Sequence, residues 1–325
     1  MLKKKQTILI TGGSGYVGSN LLLNKKLKNF NLIIIDVKKL TINKASNIFF
    51  FKKDFANVFF LEKLIKKFDI KTVVHLAAYT SVPDSMKRKK KYYNNNYLKS
   101  IQLINFCVKK KIKNFVFASS AAVYGQVSKK KVDEKKICNP TNNYGLYKLN
   151  IEKFLSKTTL IYAAIRFFNI AGANTKMLTG INSINNKSLI NTLTKCAVLN
   201  KRFYLNGNDF DTQDGSSERD FIHIEDVSNA IVKSIQYIYK KKKSIVFNCA
   251  SSKKVSTYEV IAKVKTMMKR NIKIIVKKKI PGEIPSIVGK NLVLTNKLKF
   301  KFKYNIDQII NSSIKWVKKK NYNLR

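Results

Sequence analysis

The sequence is poor in cysteine and contains no long uninterrupted apolar segment. Its four cysteines are scattered through 325 residues, which excludes a secreted disulfide framework and gives no spacing typical of a metal site. Lysine interrupts every apolar run well before the about twenty residues that cross a bilayer. The apolar stretch after the lysines at 3–5 is too short for a signal peptide. We therefore expect a cytoplasmic protein without a bound metal ion and without a membrane partner.

Acidic residues are also scarce, since 18 Asp and Glu face 65 Lys and Arg, for a formal charge of +47. Such a surplus is typical of proteins that bind nucleic acid or an anionic membrane surface. However, the cations are nearly all lysine, and their clusters are spread along the whole chain between apolar segments. Lys, Asn, Ile, Phe and Tyr, which share A/T-rich codons, are abundant, whereas Gly and Pro are scarce. We therefore attribute the charge to a base-composition bias and expect no nucleic-acid partner.

Short apolar runs predict buried strands at 7–10, 32–35, 72–76 and 114–118, with helical patterns between them. Continuous apolar strands that alternate with helices are typical of a parallel sheet covered on both faces. The fold class that follows is α/β, with a Rossmann-type doubly wound parallel sheet.

After about residue 170 this alternation becomes irregular, and Asn-rich loops lead into a basic, mixed tail. We therefore expect a first domain over residues 1–170 and a smaller α/β domain over residues 171–325. A later segment near 219–250 is expected to pack back onto the first domain.

A glycine-rich turn follows the first predicted strand and opens the first helix, with Gly12, Gly15 and Gly18 in the turn. This spacing permits a tight turn, close approach of the backbone to a pyrophosphate, and close helix–strand packing. The unpaired N–H groups of the helix N-terminus would then face the phosphates. Asp36 ends the second strand, where a carboxylate accepts hydrogen bonds from an adenosine ribose and repels a 2′-phosphate. The first domain is therefore predicted to bind NAD rather than NADP.

Tyr144 and Lys148 are four residues apart, so both side chains project from one face if this segment is helical. A nearby cation favours a phenolate, and we therefore expect Lys148 and the cationic nicotinamide ring to lower the pKa of Tyr144. Such a tyrosine can take a proton from a substrate hydroxyl while hydride leaves the same carbon. Ser120 follows the fourth predicted strand and is placed to hold that hydroxyl. These three residues are the predicted catalytic group.

The glycine turn, the Ser120 segment and the Tyr-x-x-x-Lys pair together resemble the extended short-chain dehydrogenase/reductase family. In that family a His-x-Ala-Ala element, similar to residues 75–78 here, lies beside the cofactor. His75 itself is assigned no chemistry, because a histidine at a strand end is more often a packed core residue. Besides the three glycines and Asp36, the cofactor contacts that the resemblance implies are Tyr16, Val17, Asp54, Phe55, Leu76, Ala77, Ala78, Asn96, Tyr144 and Lys148.

Two later segments, at 166–173 and 207–227, are similar to the UDP-glucose (UDP-galactose) 4-epimerases of this family. The resemblance implies that Asn169 reaches the phosphates of a nucleotide sugar. Arg219 carries a planar fork that suits a diphosphate, and the alternative is a structural ion pair with Asp220. The substrate contacts that follow are Ser120, Tyr144, Asn169, Ser188, Leu189, Phe203 and Arg219.

Some positions depart from the epimerase pattern. Phe167 replaces a tyrosine, Thr80 stands where some relatives carry lysine, and residues 284–296 lack a tyrosine-containing segment. Lys279 begins a Lys-Ile-Pro-Gly-Glu sequence where the relatives place an arginine on a phosphate. Either Lys279 replaces that arginine as a point charge, or the contact is missing.

The resemblance implies NAD-dependent epimerisation at C4 of a UDP-hexose, UDP-glucose or UDP-galactose, through a transient 4-keto sugar. Ala121 and Ala122 stand where dehydratases of the family carry acidic residues, which disfavours the elimination of water. A UDP-N-acetylhexosamine or a UDP-uronic acid is an alternative substrate. A more distant alternative is a non-catalytic RNA-binding relative, against which the intact catalytic group argues. The resemblance also implies a homodimer formed through helices of the first domain.

Overall fold

The structure is a computed structural model that describes residues 6–43, 45–127, 131–182, 188–280 and 283–322. The lysines at 3–5, and Pro281 and Gly282 of the Lys279 segment, lie outside the described residues. The strands are β1 (Thr7–Thr11), β2 (Asn31–Asp36), β3 (Ile48–Lys52), β4 (Ile70–His75), β5 (Asn114–Ser120), β6 (Ile161–Phe167), β7 (Asn169–Ala171), β8 (Phe203–Asn206), β9 (Glu218–Arg219), β10 (Phe221–His223), β11 (Ile245–Cys249), β12 (Val255–Ser256), β13 (Ile274–Lys277) and β14 (Ser286–Ile287). The helices are α1 (Tyr16–Leu22), α2 (Val58–Lys67), α3 (Val82–Lys87), α4 (Lys89–Tyr92), α5 (Lys99–Lys109), α6 (Asn143–Leu155), α7 (Leu189–Val198), α8 (Ile224–Lys241), α9 (Thr257–Met268) and α10 (Ile306–Tyr322).

A seven-stranded parallel sheet in the order β11-β6-β5-β4-β1-β2-β3 forms the centre of the molecule. The doubly wound α/β fold predicted from the sequence is therefore present. The four predicted apolar runs correspond to β1, β2, β4 and β5. Strands β3, β6 and β11 were not predicted, because a short apolar segment of this kind cannot be told from part of a buried helix by its pattern alone.

Each central strand places alternate side chains in two different cores. Ile8, Ile10 and Ile34 pack into the core on one face of the sheet, and Leu9 and Ile33 pack into the core on the other face. Full burial of such a side chain contributes about 1.5–3 kcal/mol. This two-sided burial explains why β1 and β2 are uninterrupted apolar runs rather than alternating ones.

The second half of the chain divides its packing between two cores. Helices α7, α9 and α10 enclose a separate core with β8 and β12. In contrast, α8 packs with residues of β1, β5 and β6, and β11 pairs with β6 at the edge of the main sheet. The segment from α8 to β11 therefore lies on the first half of the molecule, while the boundary near residue 170 stays a prediction.

The carboxyl ends of the parallel strands lie at one edge of the sheet. Loops from β1 and β4 turn to opposite faces there, which makes a crevice where α/β proteins of this class bind their ligands. The glycine turn follows β1, the 76–81 loop follows β4, and Ser120 ends β5. In the described part of the chain, no helix is both long and apolar enough to cross a bilayer.

Candidate active site

The glycine turn at the end of β1 has room for a side chain at only one of its three motif glycines. Gly12 has φ +74°, and a Cβ there would lie 2.6 Å from the Ala77 nitrogen. A Cβ on Gly18 would lie 2.3 Å from the Gly12 oxygen, whereas a Cβ on Gly15 would meet only that oxygen, at 3.2 Å. The turn is therefore closed on its protein side and open at Gly15. This arrangement fits a pyrophosphate approaching the backbone, as NAD requires.

Asp36 lies at the end of β2, next to the glycine turn. One carboxylate oxygen accepts a 2.9 Å hydrogen bond from the Ser14 N–H, and the other accepts one of 2.9 Å from the Lys38 N–H. Each carboxylate oxygen can accept more than one hydrogen bond. Asp36 is thus held rigidly beside the turn, with capacity left for ribose hydroxyl groups.

The expected cofactor contacts near the turn lie around the same crevice. The Tyr16 hydroxyl donates a 2.6 Å hydrogen bond to the Gly172 carbonyl oxygen, which joins the turn to the loop after β7. The Leu76 N–H donates to the Thr11 carbonyl oxygen at 3.1 Å. Val17, Ala77 and Ala78 are partly buried. The region around the glycine turn is therefore in direct contact with both the loop after β4 and the loop after β7.

Asp54, Phe55 and Asn96 make contacts within the protein. Asp54 pairs with Lys99, and the Phe55 ring lies 4.9 Å from the His75 ring. The buried Asn96 amide binds the backbone of Tyr79, accepting from its N–H at 2.9 Å and donating to its carbonyl at 2.8 Å. Asn96 therefore fixes the 76–81 loop, which is a positioning contact that the sequence did not indicate.

Tyr144 and Lys148 lie on α6, as the spacing predicts. Asn142 caps this helix by accepting a 2.8 Å hydrogen bond from the Gly145 N–H. A Cβ on Gly145 would lie 2.3 Å from the Ala122 oxygen, so glycine permits α6 to approach the segment after Ser120. Tyr144 is 9% exposed. This close packing places Ser120 near enough to Tyr144 to lower the pKa of the tyrosine.

Lys148 is almost completely buried against the end of β5. Its Nζ atom donates a 2.6 Å hydrogen bond to the Ala118 carbonyl oxygen and lies 4.7 Å from the centre of the Phe117 ring. The same atom lies 5.7 Å from the centre of the Tyr144 ring. Burial lowers the pKa of Lys148 to about 7, although the Glu152 carboxylate favours its charged form.

The expected direction of the Tyr144 pKa is wrong for the protein alone. Burial raises the pKa of Tyr144 to about 12, and the hydrogen bond with Ser120 lowers it only in part. Desolvation penalises a buried phenolate, and it also reduces the charge of the lysine that was expected to stabilise that phenolate. The spacing of Tyr144 and Lys148 was predicted correctly, whereas the burial of both side chains was not.

On the substrate side, the Arg219 guanidinium is held by three groups of the protein. Its Nη2 atom lies 3.2 Å from an oxygen of Glu283, and its Nη1 atom donates to the carbonyl oxygens of Glu218 and Pro285 at 2.8 and 3.2 Å. The suggested ion pair with Asp220 is wrong. Asp220 instead accepts hydrogen bonds from the backbone N–H groups of residues 251, 252 and 289 and from the Ser251 hydroxyl.

The lack of an ion pair between Arg219 and Asp220 has a simple geometric reason. Successive residues of an extended strand point to opposite faces, so Arg219 and Asp220 cannot share one ion pair easily. Glu283 is 64 residues away from Arg219 in the chain, and no local pattern indicates it. Burial raises the pKa of Glu283, and the charge of Arg219 opposes that shift.

The other expected substrate contacts lie in three places. Asn169 begins β7, and its N–H donates to the Asp220 carbonyl oxygen at 3.0 Å. Ser188 is exposed immediately before α7, and Leu189 is partly buried in the second core. The Phe203 side chain is buried within that core, with 4% of its surface exposed.

The residues that differ from the epimerase sequence pattern also have defined surroundings. Phe167 is opposite Ser120 in the register of β5 and β6, and Thr80 is exposed in the 76–81 loop. The Lys279 Nζ atom lies 3.0 Å from a carboxylate oxygen of Asp209 and donates to its backbone carbonyl at 2.7 Å. Lys279 is therefore held by the loop that precedes β9.

The described residues do not bring three or more His, Cys, Asp or Glu side chains together as a metal site. His75 is buried between the Thr11 hydroxyl, 2.6 Å from Nδ1, and the Ser100 hydroxyl, 2.8 Å from Nε2. Burial, with a smaller contribution from Lys148, lowers the pKa of His75 to about 3. These contacts are those of a neutral structural histidine.

Comparison with known proteins identifies the family. The sequence model of the NAD dependent epimerase/dehydratase family matches residues 8–250. The chain belongs to that family. Among its relatives is a UDP-glucose 4-epimerase of Lactobacillus helveticus, which is 30% identical over 322 residues, covering 96% of this chain and 97% of the relative. Membership confirms the predicted cofactor, NAD.

Two solved structures of epimerases are also similar to this chain. A UDP-glucose 4-epimerase from Stenotrophomonas maltophila, with bound NAD and formylated UDP-arabinopyranose, has a TM-score of 0.91 at 25% identity, covering 98% of this chain and 99% of that one. The UDP-Glc/GlcNAc 4-epimerase from Campylobacter jejuni has a TM-score of 0.80 at 28% identity, covering 97% and 99%. The resemblance to epimerases noted in the sequence is thereby confirmed.

Proposed function

We propose that the protein is an NAD-dependent 4-epimerase that interconverts UDP-glucose and UDP-galactose. The observation that carries this proposal is the position of Tyr144 and Lys148 on α6, where Ser120 lies close enough to lower the pKa of Tyr144 at the carboxyl edge of the sheet. A proton acceptor and a hydroxyl-orienting group are thus adjacent to the crevice that holds the glycine turn. The relatives with this activity cover nearly the whole chain.

The roles of the three side chains follow from their chemistry. When bound, NAD would supply reversible hydride transfer at C4 of the sugar. Ser120 orients the 4-hydroxyl group by a hydrogen bond, and Tyr144 takes the proton of that hydroxyl and afterwards returns it. Lys148 places its ammonium beside the tyrosine ring, where a cation stabilises the phenolate form.

The glycine turn and Asp36 are proposed to hold the cofactor. Gly12, Gly15 and Gly18 accommodate the pyrophosphate, and Asp36 accepts hydrogen bonds from the adenosine ribose. The remaining proposed contacts are Tyr16, Val17, Asp54, Phe55, Leu76, Ala77, Ala78 and Asn96. For Asn96 the role is indirect, because its amide binds the 76–81 loop.

Arg219 is the proposed anchor for the diphosphate of the substrate. A guanidinium binds two phosphate oxygens at once. Because the diphosphate is held in this way, the sugar is free to rotate between the two hydride transfers. Asn169 at the start of β7 is proposed to assist. Ser188, Leu189 and Phe203 are proposed contacts of the nucleotide, with Phe203 contributing its backbone.

A UDP-N-acetylhexosamine is the second candidate substrate. One similar structure is a UDP-Glc/GlcNAc 4-epimerase, and residues 284–296 lack the tyrosine-containing segment of the relatives. In this chain, the Ser286–Ile287 strand from that segment lies beside Glu218–Arg219. The strand beside the proposed diphosphate anchor therefore carries Ser286 and Ile287, which are smaller than a tyrosine.

The decisive experiment offers the purified protein one UDP-sugar at a time. We expect UDP-glucose and UDP-galactose to interconvert when each is incubated with the protein and NAD, and the products to be separated by chromatography. UDP-N-acetylglucosamine and UDP-glucuronic acid serve as competing substrates, and the Tyr144→Phe protein is the inactive control. Conversion of only a competing sugar would replace the proposed substrate, and no conversion of any sugar would refute the activity.

We also propose that the protein is a cytoplasmic homodimer. The large apolar side chains of Tyr93, Leu98 and Leu146 are 40–44% exposed on the surface formed by α4 to α6, which suits association through helices of the first domain. Cys107, Cys138, Cys196 and Cys249 are unpaired thiols. Light scattering on the purified protein tests the dimer, and a monomer mass at micromolar concentration would refute it.

A further inference from the structure

The face of α6 that carries the catalytic pair continues one turn further, to Glu152. Tyr144, Lys148 and Glu152 are spaced by four residues, so their side chains lie one above the other along the helix. The Glu152 side chain is 6% exposed. A carboxylate this deeply buried requires charged or hydrogen-bonding partners.

Glu152 obtains these partners from two neighbouring strands. The Arg166 guanidinium on β6 is bidentate, with Nη2 at 2.7 Å from Oε2, and Nε at 3.1 Å from Oε1 and 3.2 Å from Oε2. The Ser119 hydroxyl on β5 donates a hydrogen bond to Oε1. Ser119 and Arg166 are opposite each other in the parallel register. Glu152 therefore fastens α6 to one point of the sheet.

The fastening point lies between the two contacts of the catalytic pair. Ser119 is flanked by Ala118, whose carbonyl oxygen accepts the Lys148 hydrogen bond at 2.6 Å, and by Ser120, which contacts Tyr144. The chain from 118 to 120 is thus held by α6 at three successive residues. A shift of Ser119 would displace both neighbouring contacts.

We infer that Glu152 is a positioning residue of the proposed epimerase, which holds the 118–120 strand end against α6 and places a carboxylate one helical turn from the Lys148 ammonium. This inference rests on the proposed function. Glu152 touches neither the proposed substrate nor the proposed cofactor crevice, and it acts through Ser119 and through its charge.

Among the residues that the structure describes, Glu152 is the negative charge that acts on Lys148. From its own helix Lys148 faces Tyr144 and Glu152, from β4 it faces the neutral His75, and from β5 it faces the Phe117 ring and the Ala118 carbonyl. Arg166 on β6 adds a positive charge beyond Glu152. Burial lowers the pKa of Lys148, and the Glu152 carboxylate opposes this.

The test compares Glu152→Gln with two matched variants in the full chain saturated with NAD. Glu152→Gln keeps the shape and removes the charge. Arg166→Lys keeps the charge and removes the bidentate fork, and Glu62→Gln breaks a partly exposed ion pair with Lys110. The pKa of Lys148 is read by NMR of 13C-labelled lysine side chains, where the Lys148 resonance is the one missing from the Lys148→Met spectrum.

We expect Glu152→Gln to lower the pKa of Lys148 by about one unit and to reduce kcat at pH 7.5 by about tenfold. Arg166→Lys is expected to lower the melting temperature without lowering the pKa of Lys148. Glu62→Gln is expected to change neither the pKa of Lys148 nor kcat. An unchanged Lys148 pKa in Glu152→Gln would overturn the inference and leave Glu152 with a structural role.

A second variant tests the inference if the Glu152→Gln protein does not fold. Ser119→Ala removes one hydrogen bond to Glu152 and no charge, and we expect kcat to fall about fivefold, the cost of one modest hydrogen bond, with NAD affinity unchanged. An unchanged kcat would overturn the inference. Because the NMR titration needs no turnover, failure of the proposed activity is distinguishable from failure of this inference.

Discussion

The Lys148 Nζ atom donates a 2.6 Å hydrogen bond to the carbonyl oxygen of Ala118. This contact satisfies one of the three N–H donors of the ammonium group, and Lys148 is only 3% exposed. The desolvation of its charge therefore opposes folding. The lysine is therefore expected to be a site where function reduces stability.

Replacing Lys148 by methionine is predicted to stabilise the protein at neutral and acidic pH. The folded-state pKa of Lys148, about 7, is below its ordinary value of 10.5, so the cost of burying the charge is complete below pH 7. That cost disappears as the pH rises from 7 towards 10.5, since the unfolded chain then also loses its proton. We expect the melting temperature of Lys148→Met to exceed that of the wild type by about 3 °C or more at pH 6.

Thermal denaturation at a series of pH values measures this effect. The difference between the two proteins is expected to shrink towards pH 10. A constant difference from pH 6 to pH 10 would contradict the assignment of the effect to charge burial.

Tyr144→Phe is predicted to lower kcat by about 100- to 10,000-fold, the usual contribution of a proton-transfer group. The phenyl ring preserves the packing within the cluster that Tyr144 forms with Tyr92 and Tyr147, so NAD affinity and melting temperature should change little. Turnover by a coupled UDP-sugar assay and NAD binding by calorimetry are the measurements. Tyr147→Phe, in the same aromatic cluster, is the control, and equal losses in both variants would argue against a catalytic role.

Two alanine variants of the glycine turn are predicted to fail for different reasons. In Gly15→Ala the methyl group meets only the Gly12 oxygen and extends from the open side of the turn. We expect a normal melting temperature and a loss of NAD affinity of about tenfold or more. In Gly12→Ala the residue is strained at φ +74° and its methyl group collides with the Ala77 backbone, so we expect a destabilisation of about 1–3 kcal/mol.

Denaturant unfolding and NAD titration separate these two effects. Tight NAD binding by Gly15→Ala would show that the pyrophosphate does not pass over the turn at this glycine.

Arg219→Gln is predicted to raise KM for the UDP-sugar by about tenfold or more, the cost of about 1.5–3 kcal/mol for losing hydrogen bonds to a charged group. The same change leaves Glu283 half-buried without its partner, which lowers stability. The double variant Arg219→Gln with Glu283→Gln is expected to recover the stability but not KM. Initial rates with a range of UDP-sugar concentrations check this, and a wild-type KM in either variant would disprove the anchor.

Much of the first domain was predictable, because its signals are local. The glycine turn, Asp36, Ser120 and the Tyr144–Lys148 spacing each occupy a few adjacent residues next to a strand or in a helix. Their spatial meeting then follows from the parallel sheet, since all carboxyl ends lie at one edge. Predicting that these residues lie together in the crevice therefore required only the correct fold class.

The interactions that were not predicted depend on long-range packing. The Arg219–Glu283 pair joins residues far apart in the chain, and the Glu152 contacts depend on the register of β5 against β6. The direction of the Tyr144 pKa depends on how much water the folded site excludes, which the residue spacing does not encode. The edge strand β11 was missed individually, because its five residues resemble any short apolar segment.

That edge strand has a consequence for the synthesis of the protein. Residues 168–244 must be made after β6 before β11 can cover the free edge of β6. At translation rates of about 5–20 residues per second, the nascent sheet keeps an open edge for about 4–15 seconds. An open strand edge can pair with other chains. The ribosome-bound protein is therefore most exposed to aggregation, and most dependent on chaperones, during the interval in which the segment between β6 and β11 is translated.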